Sequence, residues 1–286
     1  MGARRAVLLV IVASLAFATS SPLARVAVGL SPIAVAAGRT FVASLAIAIL
    51  MPRVTLRALR GLAPRQRWGL VGAGALLAAH FALYLLGLAA TSLPAAVSLV
   101  SLEPLSVVVV AWIAFGIRPT RREAAGVLIA TAGALVVASG AGQGEHRLMG
   151  DVMVLAAVAI FGAYVAAARG LREAMPALPY AGSVYAICTL LLLPLALPLA
   201  LRDSPPMTTW GAVILMGLLP TLVGHTLVQS AARSVPPAVV AMVSPGETIG
   251  SLAIGVIAMG AVPTPREASG AALVVLGATL AILGRK

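Results

Sequence analysis

Leu99-Val-Ser-Leu-Glu103-Pro104 opens an apolar run that ends at Gly116. Arg118-Pro-Thr-Arg-Arg-Glu123 follows, and a second apolar run continues to Gly140. The same arrangement returns 144 positions later: Glu103 falls on Glu247, Gly116 on Gly260, Pro119-Thr120 on Pro263-Thr264, and Arg122-Glu123 on Arg266-Glu267. Gly126 and Gly133 fall on Gly270 and Gly277, and 13 of the 38 positions from 103 to 140 are identical without a gap. Matches of Ala and Ile are cheap in apolar sequence, but the register Gly-x-x-Pro-Thr-x-Arg-Glu-x-x-Gly is not. The chain is a duplicated unit.

Composition sets the solvent. Of 286 residues, 61% are hydrophobic and 10% are charged, and the mean hydropathy is +1.07. A water-soluble surface cannot be built from so few polar side chains, so lipid is the expected surrounding. One cysteine, Cys188, excludes a disulfide framework and a cysteine-based metal site. The net charge of +12 comes almost wholly from arginines in short segments between apolar runs. That placement signals membrane topology rather than a nucleic-acid-binding face.

Apolar runs of about 20 residues suffice to cross the hydrocarbon core as helices. Ten are expected, at 6–24, 32–51, 68–89, 94–116, 122–140, 149–169, 178–200, 209–230, 236–259 and 267–284, with prolines and glycines at the joints. No connecting segment is long enough for a soluble domain. Arg4 and Arg5 ahead of an apolar run resemble a signal peptide, but the run continues past its small residues, so the reading is a first span.

With the N-terminus placed in the cytoplasm, 15 basic residues fall at inner ends and four at outer ends, with Arg39 left inside a span. The positive-inside rule then puts both termini in the cytoplasm. Five spans per copy is an odd number, so the second copy enters the bilayer inverted. The expected fold is all-α integral membrane: ten transmembrane helices in two inverted five-helix repeats, residues 1–143 (helices one to five) and 144–286 (helices six to ten). Inverted repeats give two near-equivalent packings, each opening to one side of the membrane.

These features resemble the drug/metabolite transporter superfamily, specifically its EamA-like ten-helix carriers. The resemblance rests on the two halves, Arg39 within Ala36-Ala-Gly-Arg39-Thr-Phe, the Leu102-Glu-Pro104 element and the two Pro-Thr-x-Arg-Glu turns. It implies a secondary active transporter in the bacterial inner membrane, working by alternating access and exporting amino acids or related amphipathic metabolites. The same resemblance covers uptake and drug-efflux carriers. It also implies a cavity between the halves, lined mainly by helices one to four and six to nine. Two departures stand out: Thr248 replaces the second copy's proline after Glu247, and helix one carries Ser20-Ser21-Pro22 with no acid. A proton exchange centred on a helix-one carboxylate is therefore not carried over.

Polar groups at membrane depth are expensive and need a partner or a task. Glu103 and Glu247 occupy equivalent mid-helix places. They could carry protons, bind a substrate amine, hold backbone near a helix break, or pair with Arg39; desolvation makes a carboxyl there a suitable proton carrier. Arg39 could clasp a substrate carboxylate through its planar fork, or serve helix ends and glutamates. His80 and His225 lie on helices three and eight, corresponding elements that are one residue out of register, and Tyr84 and Gln229 each follow one turn later on the same face. Ser20, Ser21 and Ser101 offer hydroxyls, although such groups often bond their own backbone. Trp112 and Tyr164 could form apolar walls, or in the case of Trp112 an interface anchor. Gly126 and Gly133, with Gly270 and Gly277, make small faces suited to close helix packing or a homodimer.

Catalytic and metal-binding motifs are absent. The only lysine is Lys286, so there is no phosphate-binding lysine, and no histidine and acid spacing fits a metal. No enzyme activity, cofactor or nucleic-acid partner is expected. The expected partners are a small-molecule substrate, the lipid bilayer and protons as coupling ion. A non-transporting membrane support subunit is the alternative of a different class.

Overall fold

The computed structural model describes residues 3–116, 118–142, 144–167, 171, 174–224, 226–227 and 243–283. Among them every regular element is a helix. The order is α1 (Ala3–Ala18), α2 (Ser20–Val26), α3 (Pro32–Leu50), α4 (Pro52–Arg60), α5 (Pro64–Ala90), α6 (Leu93–Val100) and α7 (Glu103–Phe115). Then come α8 (Arg121–Ala138), α9 (Leu148–Ala167), α10 (Ala177–Arg202), α11 (Met207–Met216) running into a π-helix (Gly217–Gly224), α12 (Val243–Met259) and α13 (Pro265–Leu283). Leu128, Leu135, Leu201 and Ile257 lie uncovered on the outer helix faces, the last at 85% exposure. Such surfaces require lipid, and the chain is a multi-pass membrane protein.

Among the described residues eight stretches are long and apolar enough to span, against the ten expected. The other two expected spans correspond to α8 and α12. Helix α8 carries Arg121, Arg122 and Glu123 within its 18 residues, and α12 has 17 described residues.

The Pro-Thr-x-Arg-Glu turns are helix starts. Each repeat's preceding helix ends on a left-handed glycine, Gly116 (φ 67°) or Gly260 (φ 64°), a backbone shape that penalises any Cβ. Thr120 Oγ1 then accepts from the Glu123 amide at 3.2 Å while Glu123 Oε2 accepts from the Thr120 amide at 2.7 Å. Thr264 and Glu267 make the same reciprocal pair at 3.3 and 2.7 Å. Both are capping boxes, which satisfy amide groups that the first helical turn leaves unpaired.

Packing repeats as well. Helix α8 lies along α13, and α3 along α10; these are corresponding helices of the two halves. The α7–α9 contact has its counterpart in α1–α12, and α5–α9 has its counterpart between α1 and the π-helix. The α8–α13 seam is built from glycine. A Cβ on Gly126 would lie 2.5 Å from the Gly277 carbonyl oxygen, and one on Gly133 would lie 2.8 Å from that of Gly270. Position 126 thus faces 277 while 133 faces 270, so the two helices run antiparallel. The glycine faces meet each other inside one chain, which leaves them unavailable to the homodimer considered above.

Three expected spans are not continuous α-helices. The 6–24 run divides into α1 and α2 at Thr19; the 94–116 run divides into α6 and α7 at Ser101-Leu102; the 209–230 run turns from α to π geometry at Gly217. Proline is the common cause, because it lacks an N–H and crowds the carbonyl four residues earlier. Two of the freed carbonyls find hydroxyl donors. Pro22 frees the Ala18 carbonyl, which accepts from Ser251 Oγ at 2.8 Å. Pro220 frees the Met216 carbonyl, which accepts from Thr221 Oγ1 at 2.8 Å. At the third break, Pro104 sits in the first turn of α7, where no intrahelical donor is needed.

Candidate functional site

Two of the breaks meet at Arg39, on α3 and 4% exposed, which extends its guanidinium between them. Its Nη1 donates to Ser20 Oγ at 3.1 Å, at the start of α2. Its Nε and Nη2 both donate to Thr221 Oγ1, at 3.2 and 3.0 Å, in the π-helix. The Thr221 proton is already committed to Met216, so its lone pairs are what face the arginine. The guanidinium carbon also stands 4.5 Å from the Phe81 ring centroid, in cation–π range. Arg39 therefore holds an irregular turn of the first span against one of the eighth expected span, with aromatic support from α5.

His80 and Tyr84 form the next layer. Their one-turn spacing on α5 stacks the rings nearly parallel, at 6° and 6.3 Å between centroids. Tyr84 Oη and Ser21 Oγ are 2.5 Å apart, tying α5 to the start of α2. His80 Nδ1 stands 3.0 Å from the Ala157 carbonyl on α9. A carbonyl only accepts, so this nitrogen carries a proton and the tautomer follows from the network. His80 Nε2 then faces Glu103 Oε1 at 3.6 Å, within ion-pair range and beyond a direct hydrogen bond.

Glu103 is the first residue of α7 and keeps 20% of its side chain accessible, whereas His80 keeps 5%. Glu247, in α12, is likewise only half-buried and lies within electrostatic reach of both Glu103 and Arg39. The two acids thus keep part of their surface accessible beside a buried arginine and histidine. With Nδ1 carrying its proton toward the Ala157 carbonyl, His80 Nε2 is left as an acceptor facing Glu103.

The remaining sequence candidates separate. Ser101 bonds the Val97 carbonyl at 3.0 Å and also Thr248, so the residue in place of the second proline joins the two helix-four-type elements. Tyr164 lies 6.0 Å from Phe161, centroid to centroid, which in turn lies 5.3 Å from His80; it borders the site. Trp112 is 51% exposed near the end of α7, as an interface anchor would be. His225 and Gln229 lie outside the described residues.

Sequence reading missed Thr221, and it missed a second polar cluster at the end of the bundle where Arg25 and Arg147 lie. His146 Nε2 is 2.7 Å from Asp151 Oδ2, and its Nδ1 is 3.6 Å from Glu267 Oε1, with all three side chains at 3% exposure or less. Thr91 Oγ1 donates to Asp151 Oδ1 at 2.8 Å, Ser92 Oγ donates to Glu267, and Arg25 donates to the Thr91 carbonyl. The cluster joins the α5–α6 turn to α9 and α13. At the same end Asp203 accepts from the Ser31 amide at 3.0 Å, and Thr209 Oγ1 donates to the Val28 carbonyl at 2.6 Å. Polar bonds therefore tie the two halves together at this end.

Comparison with known proteins bears on this geometry. The model described as the EamA-like transporter family matches residues 4–139 and again 148–283. A solved structure titled only as the crystal structure of a protein is similar over 99% of both chains, with a TM-score of 0.65 at 22% identity, which is a likeness of fold. No curated protein matches the chain.

Proposed function

The chain belongs to the EamA-like transporter family, and on that premise we propose that it is a secondary carrier exporting a small amphipathic metabolite, an amino acid or a close relative. The observation that carries this reading is the convergence of Ser20, Ser21, Arg39, His80, Tyr84, Glu103 and Thr221 where three spanning segments leave α-helical geometry. Irregular backbone at membrane depth is tolerated where it is covered by protein or lines a polar cavity. The half-accessible Glu103 and Glu247 would meet the substrate amine or the coupling proton. Arg39, with three of its five N–H groups given to Thr221 and Ser20 and its face against Phe81, would hold the walls rather than clasp a carboxylate.

The scaffold reading is two inverted five-helix repeats, residues 1–143 and 144–286, with ten spans. The antiparallel α8–α13 seam and the exchange symmetry of the helix contacts support it. The arginine distribution supports cytoplasmic termini in a bacterial inner membrane. The polar ties around His146 would close the outer end, leaving release or entry to depend on their rupture.

The test is flux in proteoliposomes loaded with a panel of labelled amino acids, with and without an imposed pH gradient. Counterflow of one class, accelerated by the gradient in native protein and not in Glu103→Gln, is the expected outcome. Flux of bulky drugs alone, or accumulation on the opposite side, would replace the metabolite or the direction. Absence of any solute flux together with dependence on a membrane partner would favour a support subunit.

A further inference from the structure

A second ligand site lies away from the polar centre, where α4 turns into α5. Helix α4, Pro52-Arg-Val-Thr-Leu-Arg-Ala-Leu-Arg60, has no buried residue. It sits between two spans and presents Val54 and Leu56 uncovered, at 43% and 53%, beside Arg53, Arg57 and Arg60. Trp68, 76% exposed at the start of α5, marks the headgroup level. An amphipathic helix of this composition lies in the membrane interface rather than across it.

A groove of about 370 Å³ runs between α4 and α5. Its walls are mostly apolar and include Leu56, Leu59, Leu70 and Val71, and Arg60 and Arg67 also contribute to its lining. Arg67 is oriented from within: its Nε donates to the Leu62 carbonyl at 3.1 Å, which leaves its terminal nitrogens available. Among the described residues no carboxylate pairs with Arg60 or Arg67, and no acidic residue precedes Glu103 in the chain. Five arginines, at 53, 57, 60, 65 and 67, thus lie on α4 and the start of α5, two of them lining the apolar slot, and among the described residues none of the five is paired with a carboxylate.

We propose that this groove binds one anionic phospholipid, its phosphate held by Arg60 and Arg67 and an acyl chain laid against Leu56, Leu59, Leu70 and Val71. The pairing follows from charge and shape together. A guanidinium fork matches two phosphate oxygens, and an adjoining apolar slot open to the bilayer matches a hydrocarbon chain. A soluble phosphate would use the arginines and leave the slot empty. A zwitterionic lipid would fill the slot and leave the uncompensated positive charge.

The experiment uses full-length protein in phosphatidylcholine nanodiscs containing a small, equal share of dansyl-labelled phosphatidylglycerol or dansyl-labelled phosphatidylcholine. In a W112F/W210F background, which leaves Trp68 as the single tryptophan, energy transfer from Trp68 reads local enrichment. Transfer to the anionic probe should exceed transfer to the neutral probe several-fold. Loss of one arginine near an anionic lipid should weaken this about fivefold, so R60Q/R67Q should bring the two probes level, while R202Q, at the other end of α10, leaves the preference intact. Val71→Phe keeps every arginine and fills the slot; it should lower transfer as well, and it serves if the arginine double variant does not fold. Equal transfer to both probes in the single-tryptophan background alone, or a preference that survives both R60Q/R67Q and Val71→Phe, would overturn the assignment.

Discussion

Thr221→Val is the sharpest perturbation of the centre, because it removes one hydroxyl and three hydrogen bonds while keeping shape. Two of those bonds come from Arg39, at 3.2 and 3.0 Å, and the third goes to the Met216 carbonyl freed by Pro220, at 2.8 Å. A hydrogen bond to a charged group contributes about 1.5–3 kcal/mol, and an unsatisfied buried donor costs a comparable amount. The two arginine bonds share one acceptor and are not additive, so the expected loss is roughly 2–4 kcal/mol. For a chain of this size that lowers the apparent melting temperature by about 3–7 °C.

Arg39 is what makes the loss large, and a double-mutant cycle isolates it. Arg39→Met removes both the charge and its demand for acceptors. In that background Thr221→Val should cost only the Met216 bond, about 1 kcal/mol. The assay is thermal unfolding of the four proteins in one detergent at one protein concentration. A Thr221→Val cost that is the same with and without Arg39 would refute the claim that the arginine is spent on holding the helix breaks. Arg39 would then be free to receive substrate, and loss of flux in Arg39→Lys, with melting unchanged, would show it.

Three further outcomes are expected. Gly126→Ala and Gly277→Ala should each destabilise by about 1–3 kcal/mol through overpacking, since the new Cβ would stand 2.5 Å from backbone of the opposite helix; Gly72→Ala, with nothing within 4 Å, should be neutral or slightly stabilising in the same melts. Asp151→Asn leaves His146 facing Glu267 alone in a site at most 3% exposed. Breaking a buried pair of this kind costs about 3–5 kcal/mol, so reduced melting temperature and increased labelling of a cysteine placed at Thr91 would report opening of that end. Glu103→Gln should retain the fold and lose acceleration of flux by a pH gradient; flux that still follows the gradient would remove Glu103 from the proton path.

What could be read from the chain alone was what the duplication preserved. Gly116, Thr120, Glu123, Gly126 and Gly133 and their copies became helix stops, capping boxes and the antiparallel seam, each a local or close-packing demand that fixes residue type. Hydropathy placed most spans but treated three of them as unbroken, because a transfer scale does not count missing N–H groups. Pro22, Pro104 and Pro220 were the available signal. Thr221 was hidden for a different reason: a threonine inside an apolar run ordinarily bonds its own backbone, as this one does, and its second role needs a partner 182 positions away. His146 lies between two expected spans and becomes central only through Asp151 and Glu267.

The chemistry itself follows the opposite pattern from the scaffold. At the 144-residue shift Arg39 corresponds to Ser183, His80 to Gly224 and Ser20 to Tyr164; only the glutamates recur. An inverted pair of identical halves would make the inward-open and outward-open packings equal in energy. Here Arg39 and its ligands connect helix breaks in spans one and eight, and no described residue repeats that connection at the corresponding spans six and three. On the proposed carrier reading, the two packings would therefore differ in which polar bonds they keep. Departures from the repeat, rather than its conserved positions, mark where substrate and proton would be distinguished from lipid.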